Sequence, residues 1–274
     1  VGKKKKKFLY VNFLCRKEPP IPSSPLKLVS GASYLPHPSK LKTGGEDAFF
    51  ICHEEQAIGV ADGVGGWADV GIDAGEYSRG LMRNSVQAIR EALPDDIDLL
   101  SVLEKAHSRT NFSGSSTACI ISLKNQDVHA INLGDSGFII VRNGETVFES
   151  PVQQHGFNFP YQLERSKMGD LPSSAQVFKI PVEAGDVIVA GSDGLFDNLY
   201  SREIAAIIVG EAAKGEEGLS PEATAEKIAW FARERALDTK SETPFSVAAQ
   251  QAGFTYYGGK LDDLTVIVSF VSSS

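Results

Sequence analysis

Carboxylates punctuate the apolar runs of this chain. Asp62 closes "AIGVADG", Asp135 follows the run in "AINLGDSG", Asp193 follows the run in "DVIVAGSDG", and Asp262 and Asp263 open "LDDLTVIV". Glu46 and Asp47 stand just ahead of another run in "GGEDAFF". One Asp beside Gly is an ordinary turn former, because its side chain bonds the local backbone. Acids gathered at several adjacent strand ends behave differently: they repel one another and raise each other's pKa unless a cation sits among them. A donor set made only of oxygens suits Mg2+ or Mn2+, and the lack of a His or Cys cluster disfavours zinc. Spacing alone leaves open whether these ends converge.

Convergence would need a sheet architecture that brings distant strand ends together. Strand-length apolar runs recur at residues 47–52, 56–61, 118–123, 128–133, 138–142, 146–150, 176–182, 186–190 and 264–271. Between the runs ending at Arg142 and starting at Thr146 lies Asn143-Gly144, the pair that tolerates the positive φ angles of a type I′ turn, so these two strands are predicted to be antiparallel. Two helical blocks interrupt the strands. Tyr77, Leu81, Met82, Val86, Ile89 and Leu93 share one helical face that Pro94 ends, and residues 99–110 supply a partner helix. Further on, Ser201 is placed to cap "REIAAIIV", and Ser220-Pro221-Glu222 supplies an N-cap, an N1 proline and an early acid for a helix through Ala236. Helices that come in pairs between runs of strands predict an α+β fold rather than a singly alternating parallel sheet. The expected architecture is four-layer αββα, a central antiparallel β-sandwich flanked by antiparallel helix pairs.

The chain has 274 residues and a formal net charge of −8, yet residues 1–17 carry seven Lys or Arg and no acid. An acidic body disfavours nucleic-acid binding, which needs clustered cations. No apolar run is long enough to predict a transmembrane segment. Three cysteines without a CxxC spacing argue against a disulfide framework and structural zinc, and Cys52 and Cys119 read as buried thiols. "EPPIPSSP" at 18–25 reads as a linker, so residues 1–25 are expected to be a basic, proline-rich tail and 26–274 a single domain. The first residue is Val1, so a targeting segment ahead of it would be hidden, and Lys3 to Lys7 read as an address or as a solvated tail.

The ordered set "GGEDAFF", "GVADGVGGW", "GSSTACI", "INLGDSG", "VAGSDGLFDN" and "KLDDLTVIV" resembles the metal-dependent protein serine/threonine phosphatases, the PPM or type 2C family. The resemblance covers residues 30–271, and wording such as "GASYLPHPSK" and "QQAGFTYYGGKLDD" is similar to the plant branch that also resembles a mitochondrial matrix subgroup. It implies two Mg2+ or Mn2+ ions per subunit and a third held weakly. Asp62 would bridge the two ions, the Gly63 carbonyl, Asp193 and Asp262 would be direct ligands, and Glu46 would act largely through water. Asp135 would serve the third position, with Asp47, Asp197 and Asp263 in support. The implied reaction is attack of a metal-bridging hydroxide on a phosphoserine or phosphothreonine phosphorus, with no phosphoenzyme.

Two departures from the family pattern bear on mechanism. Lys42 stands where many members carry a phosphate-gripping arginine, and Val64 where many carry a proton-donating histidine. Lysine cannot form the bidentate fork of arginine. His155 in "QQHGFNF" is the candidate replacement acid, against its being a structural loop histidine. Trp67 and the aromatics of 157–161 read either as walls of a substrate channel or as core, and 153–175 occupy the place of the family's variable flap. Alternatives to the enzyme are a pseudophosphatase used as a binding module, an adaptor working through the lysine tip, and a small-molecule phosphatase on the same fold. The expected partner is a phosphoprotein, the expected state a monomer, and the expected location intracellular, in a plastid or mitochondrion.

Overall fold

A computed structural model describes residues 25–92, 97–165, 168–213, 215 and 220–273. Cys15, the lysine run and the linker up to residue 24 lie outside the described residues, as do Leu93 and Pro94. The chain opens with β1 (Leu26–Leu35), β2 (Asp47–Cys52) and β3 (Ala57–Asp62), then α1 (Ala74–Glu91) and α2 (Leu99–Arg109). A run of strands follows: β4 (Ser115–Ser116), β5 (Ala118–Lys124), β6 (Asp127–Leu133), β7 (Gly137–Arg142) and β8 (Glu145–Glu149). Short pieces β9 (Gln154–Gly156), β10 (Phe159–Pro160) and β11 (Leu163–Glu164) lead to β12 (Gln176–Pro181) and β13 (Val187–Gly191). Four helices, α3 (Asp193–Phe196), α4 (Ser201–Ala212), α5 (Pro221–Leu237) and α6 (Pro244–Gln251), precede β14 (Leu264–Ser273).

Two five-stranded antiparallel sheets, ordered β1-β14-β13-β7-β8 and β12-β6-β5-β3-β2, carry the architecture. Their strands alternate between two apolar environments. Cys119 and Ile121 of β5 point into a cluster between the sheets with Phe138, Ile140, Ile188 and Ile267. Ala118 and Ile120 point the other way, onto Tyr77, Leu81 and Leu103 of α1 and α2. On the second sheet Val266 and Val268 meet Ile204, Ile228 and Ala232 of α4 and α5. Burial on both faces is why these strands read as continuous apolar runs instead of alternating ones. The result is the expected helix, sheet, sheet, helix layering.

Local signals held in several places. Asn143 and Gly144 take φ of 52° and 81°, and β7 pairs antiparallel with β8 across them. The Ser220 hydroxyl accepts the Ala223 N–H at 3.0 Å, with Pro221 at the first helical position. The cap expected at Ser201 is instead at Tyr200, whose N–H donates to the Glu203 carboxylate at 2.9 Å, so Ser201 is already helical. β1 carries no strand-like apolar run in the sequence, because Gly31 and serines dilute "LKLVSGASYL". That glycine is required by packing: a Cβ there would sit 2.3 Å from the Glu222 backbone nitrogen at the start of α5.

Candidate metal centre

Register places the acids before any side-chain contact does. Asp47 pairs with Asp62 across β2 and β3, while Gly191 pairs with both Gly137 and Val266 across β13, β7 and β14. Strand ends from both sheets thus open onto one cleft of about 750 Å³. Asp62, Gly63, Val64, Trp67, Asp135, Asp193 and Asp262 line it, together with Lys40 and Lys260. Gly63 must be glycine, since a Cβ would lie 2.7 Å from the Glu46 carbonyl, which also accepts the Gly63 N–H at 3.1 Å.

Several acids hold the others in place. Asp47 is buried, and one of its oxygens accepts from Ser192 at 2.6 Å and Thr265 at 2.7 Å, stitching the first sheet to the second. Burial, reinforced by the charges of Asp263 and Asp193, pushes Asp47 up to about 8 against those hydrogen bonds. Asp263 accepts the Glu46 N–H at 3.0 Å, the His37 N–H at 2.7 Å and the Lys40 ammonium at 3.1 Å, and so shapes the loop that presents Glu46. Asp47 and Asp263 thus tie neighbouring segments of the cleft together, while Asp197 pairs with Lys260 at 2.8 Å.

The cleft acids themselves are under electrostatic stress. Burial and the charges of Asp193, Asp47 and Asp262 hold Asp62 well above the usual carboxylate range. Burial, then Asp193, pushes Asp135 up to about 7, and the Gln154 amide, donating to it at 2.9 Å, opposes that. Burial acts to raise Asp193 as well, yet the Lys260 charge beside it brings it below the ordinary value. One Asp193 oxygen, Oδ1, is buried with no hydrogen-bond partner. Unsatisfied oxygen, mutual repulsion and an all-oxygen donor set fit a hard divalent cation. Among the described residues, no three His, Cys, Asp or Glu side chains already form an ion cage. Two lysine ammoniums lie among the carboxylates.

These lysines were not singled out from the sequence. Lys40 pairs with Glu46 and, at 3.1 Å, with Asp263; Lys260 pairs with Asp193 and, at 2.8 and 3.3 Å, with Asp197 and Asp262. Lys260 stands inside the quoted motif two residues before Asp262, a visible signal. Lys40 is brought in by a turn in which its own carbonyl accepts the N–H groups of Thr43, Gly44 and Gly45. The same turn corrects the placement expected of Lys42: it is exposed and does not line the cleft. His155 is corrected likewise. It is exposed, stacks on Tyr161 with centroids 4.1 Å apart, and lies 3.0 Å from the Asp170 carboxylate, outside the cleft lining. Of the aromatics, Trp67 lines the cleft with its indole N–H donating to Ser115 at 2.7 Å, and Phe159 and Pro160 line it as well.

No protein-family model matches the chain. It is 66% identical to "Probable protein phosphatase 2C 55" of Arabidopsis thaliana over 92% of this chain and 53% of that protein. It is 36% identical to "Probable protein phosphatase 2C 26" of the same organism over 96% of this chain and 91% of that one. The chain spans little more than half the length of the first two relatives it matches, 53% and 60%. Among solved structures, the photosystem II phosphatase PBCP aligns with a TM-score of 0.82 at 33% identity, covering 90% of this chain and all of that one. The catalytic domain of the phosphatase PstP, solved with two manganese ions, shares the fold at 16% identity, with a TM-score of 0.62 over 90% of this chain and 99% of that one.

Proposed function

Because this chain belongs to the metal-dependent type 2C (PPM) protein phosphatase family, we propose that it hydrolyses phosphoserine and phosphothreonine in proteins, with residues 26–274 as one catalytic domain. The observation that carries the reading is the meeting of Asp62, Asp193 and Asp262, from three separate chain segments and both sheets, on one cleft where an Asp193 oxygen lacks a partner. Glu46, Asp62, the Gly63 carbonyl, Asp193 and Asp262 would hold two Mn2+ or Mg2+ ions, with Asp135 offered to a third. Such ions, when bound, supply Lewis acidity toward phosphoryl oxygens and lower the pKa of water.

The chain's own groups supply the rest. Lys40 stands at the cleft as a fixed positive charge for the substrate phosphate, the part that the resemblance implies for Lys42. Burial disfavours its charge, but the hydrogen bond to Glu46 and the charges of Asp263 and Asp262 outweigh this and raise its pKa. It therefore grips without giving up a proton. Val64 offers no proton either. Trp67, Phe159 and Pro160 in the cleft lining present apolar surface to the residues flanking the phosphate.

Hydrolysis of an aryl phosphate and of a phosphothreonine peptide, with Mn2+ added or chelated, tests this. Turnover with Mn2+, and its loss in Asp193→Asn with the fold retained, is the expected result. No turnover above buffer at any Mn2+ or Mg2+ concentration leaves the binding-module reading in its place. Among the described residues no helix is long and apolar enough to cross a membrane. The likeness to a photosystem II phosphatase supports a plastid location, checked by imaging the full-length precursor, and light scattering checks the monomer.

A further inference from the structure

We propose that the outer edge of β2, together with the arginines of α1 beside it, docks an extended segment of the phosphoprotein substrate in which acidic and apolar residues alternate. The choice of a substrate as partner rests on the phosphatase reading; the shape and charge of the groove do not.

β2 ends its sheet. It pairs with β3 along Asp47–Cys52, and among the described residues no strand pairs with its other side. Alternate N–H and C=O groups of an edge strand point away from its neighbour, and those of β2 have no other backbone partner among the described residues. Such an edge is a template for one further strand. Beside it lies a groove of about 390 Å³, lined by Phe49 and Phe50 of the strand and by Arg79, Met82, Arg83 and Val86 of α1.

The two faces of an added strand meet different surroundings here. Ala48 and Phe50 of β2 pack toward α1 with Met82, whereas Ile51, and Phe49 with it, lies on the face turned to the cluster between the sheets. On the α1 side, Arg79 and Arg83 are one helical turn apart. Arg79 is held by Asp73 at 3.1 Å and by the Gly45 carbonyl at 2.9 Å. Arg83 is exposed and has no ion pair or hydrogen bond among the described residues. Asp47, the acid of the lining, is buried and taken up by Ser192 and Thr265. A carboxylate on this side of an added strand therefore meets an uncompensated guanidinium, and a basic residue would be repelled. On the other side Phe49 is 40% exposed, which favours an apolar residue.

One turn joins the groove to the metal centre. Lys40 lines the cleft, Thr43 and Gly44 line the groove, and the Lys40 carbonyl accepts the N–H groups of Thr43 and Gly44. A segment held on β2 thus lies beside the cleft without entering it, and raises the effective concentration there of a phosphoresidue on the same chain. The consequence falls on KM and leaves the chemical step alone.

The probe is a fluorescein-labelled octapeptide of alternating Glu and Val, followed by anisotropy in EDTA. It is expected to bind wild type and Arg83→Lys alike and Arg83→Glu about tenfold more weakly, within the range of a lost charged hydrogen bond. The same peptide with Lys for Glu, or with Pro for alternate residues, should not bind. As a second readout, the octapeptide is joined through a Gly-Ser linker to either end of a phosphothreonine peptide and assayed with Mn2+. In wild type the extension should lower KM about tenfold from at least one end with kcat unchanged, a gain lost in Arg83→Glu, while aryl phosphate turnover is the same in both. Equal binding of the acidic and basic octapeptides, or binding indifferent to Arg83→Glu, overturns the proposal. So does a wild-type dimer that Arg83→Glu converts to monomer, since a second copy would then occupy the edge. If wild type hydrolyses the aryl phosphate while the extension leaves KM unchanged from both ends, this proposal alone fails. If wild type turns over nothing with Mn2+ or Mg2+, the phosphatase reading fails and takes the substrate as partner with it.

Discussion

The middle of the β-sandwich and its acid-lined end are built from the same strands, yet they solve opposite problems. Between the sheets, Phe138, Ile140, Ile188 and Ile267 are essentially inaccessible to solvent, and every group there gains from burial. A few residues along, Asp47, Asp62, Asp135 and Asp193 crowd together, and burial raises all but the last above the usual carboxylate range. One end stabilises the fold and the other is held in place by it. The lesson is that charge repulsion in the cleft is tolerated because the sandwich fixes the strand ends from behind, and Lys40 and Lys260 relieve part of it.

The comparison is broken most severely by emptying the middle. Phe138 packs on Phe148 and Phe178 with ring centroids 5.2 and 5.9 Å away, and Phe138→Ala is expected to cost about 3–5 kcal/mol in urea unfolding. Turnover per folded molecule should persist; its loss would mean that the two regions are not separable. Asp62→Asn works in the opposite direction. Turnover should fall at least about a hundredfold, since even outer-shell changes at metal sites cost 10–100-fold. Stability in EDTA should rise, because a carboxyl whose folded pKa lies above its unfolded value loses stability as pH climbs past the unfolded one, and the amide removes that penalty. A lower melting temperature in EDTA would contradict the account of strain.

Lys40→Met is expected to raise KM for a phosphopeptide roughly tenfold, within the range of a lost charged hydrogen bond, while Lys42→Met changes nothing. Equal effects would restore Lys42 to the cleft. Smallest in effect is a chemical probe of the middle. Burial pushes the Cys119 thiol up to about 12, so alkylation at pH 8 should leave it unmodified until denaturant is added.

Much of this was legible from residues in a row. The strand runs, the Asn143-Gly144 turn and the Ser220-Pro221 helix start are local, set by burial on both faces, by positive φ and by capping, and each formed close to where it was read. β1 was hidden because its pairing partner, β14, is more than 200 residues away and its Gly31 serves packing against α5. Lys40 was hidden because a turn closing on its own carbonyl, rather than a spacing to Glu46, decides which lysine faces inward.

By itself the sequence determined the identities of the acids, their places at strand ends and, through an ordered set of motifs, the family. Those depend on chemistry carried by single residues and their near neighbours. Only the tertiary structure decided which acids meet, which lysine reaches them and that His155 does not. These depend on the register of two sheets packed face to face, and register joins residues far apart in the chain that no local pattern relates.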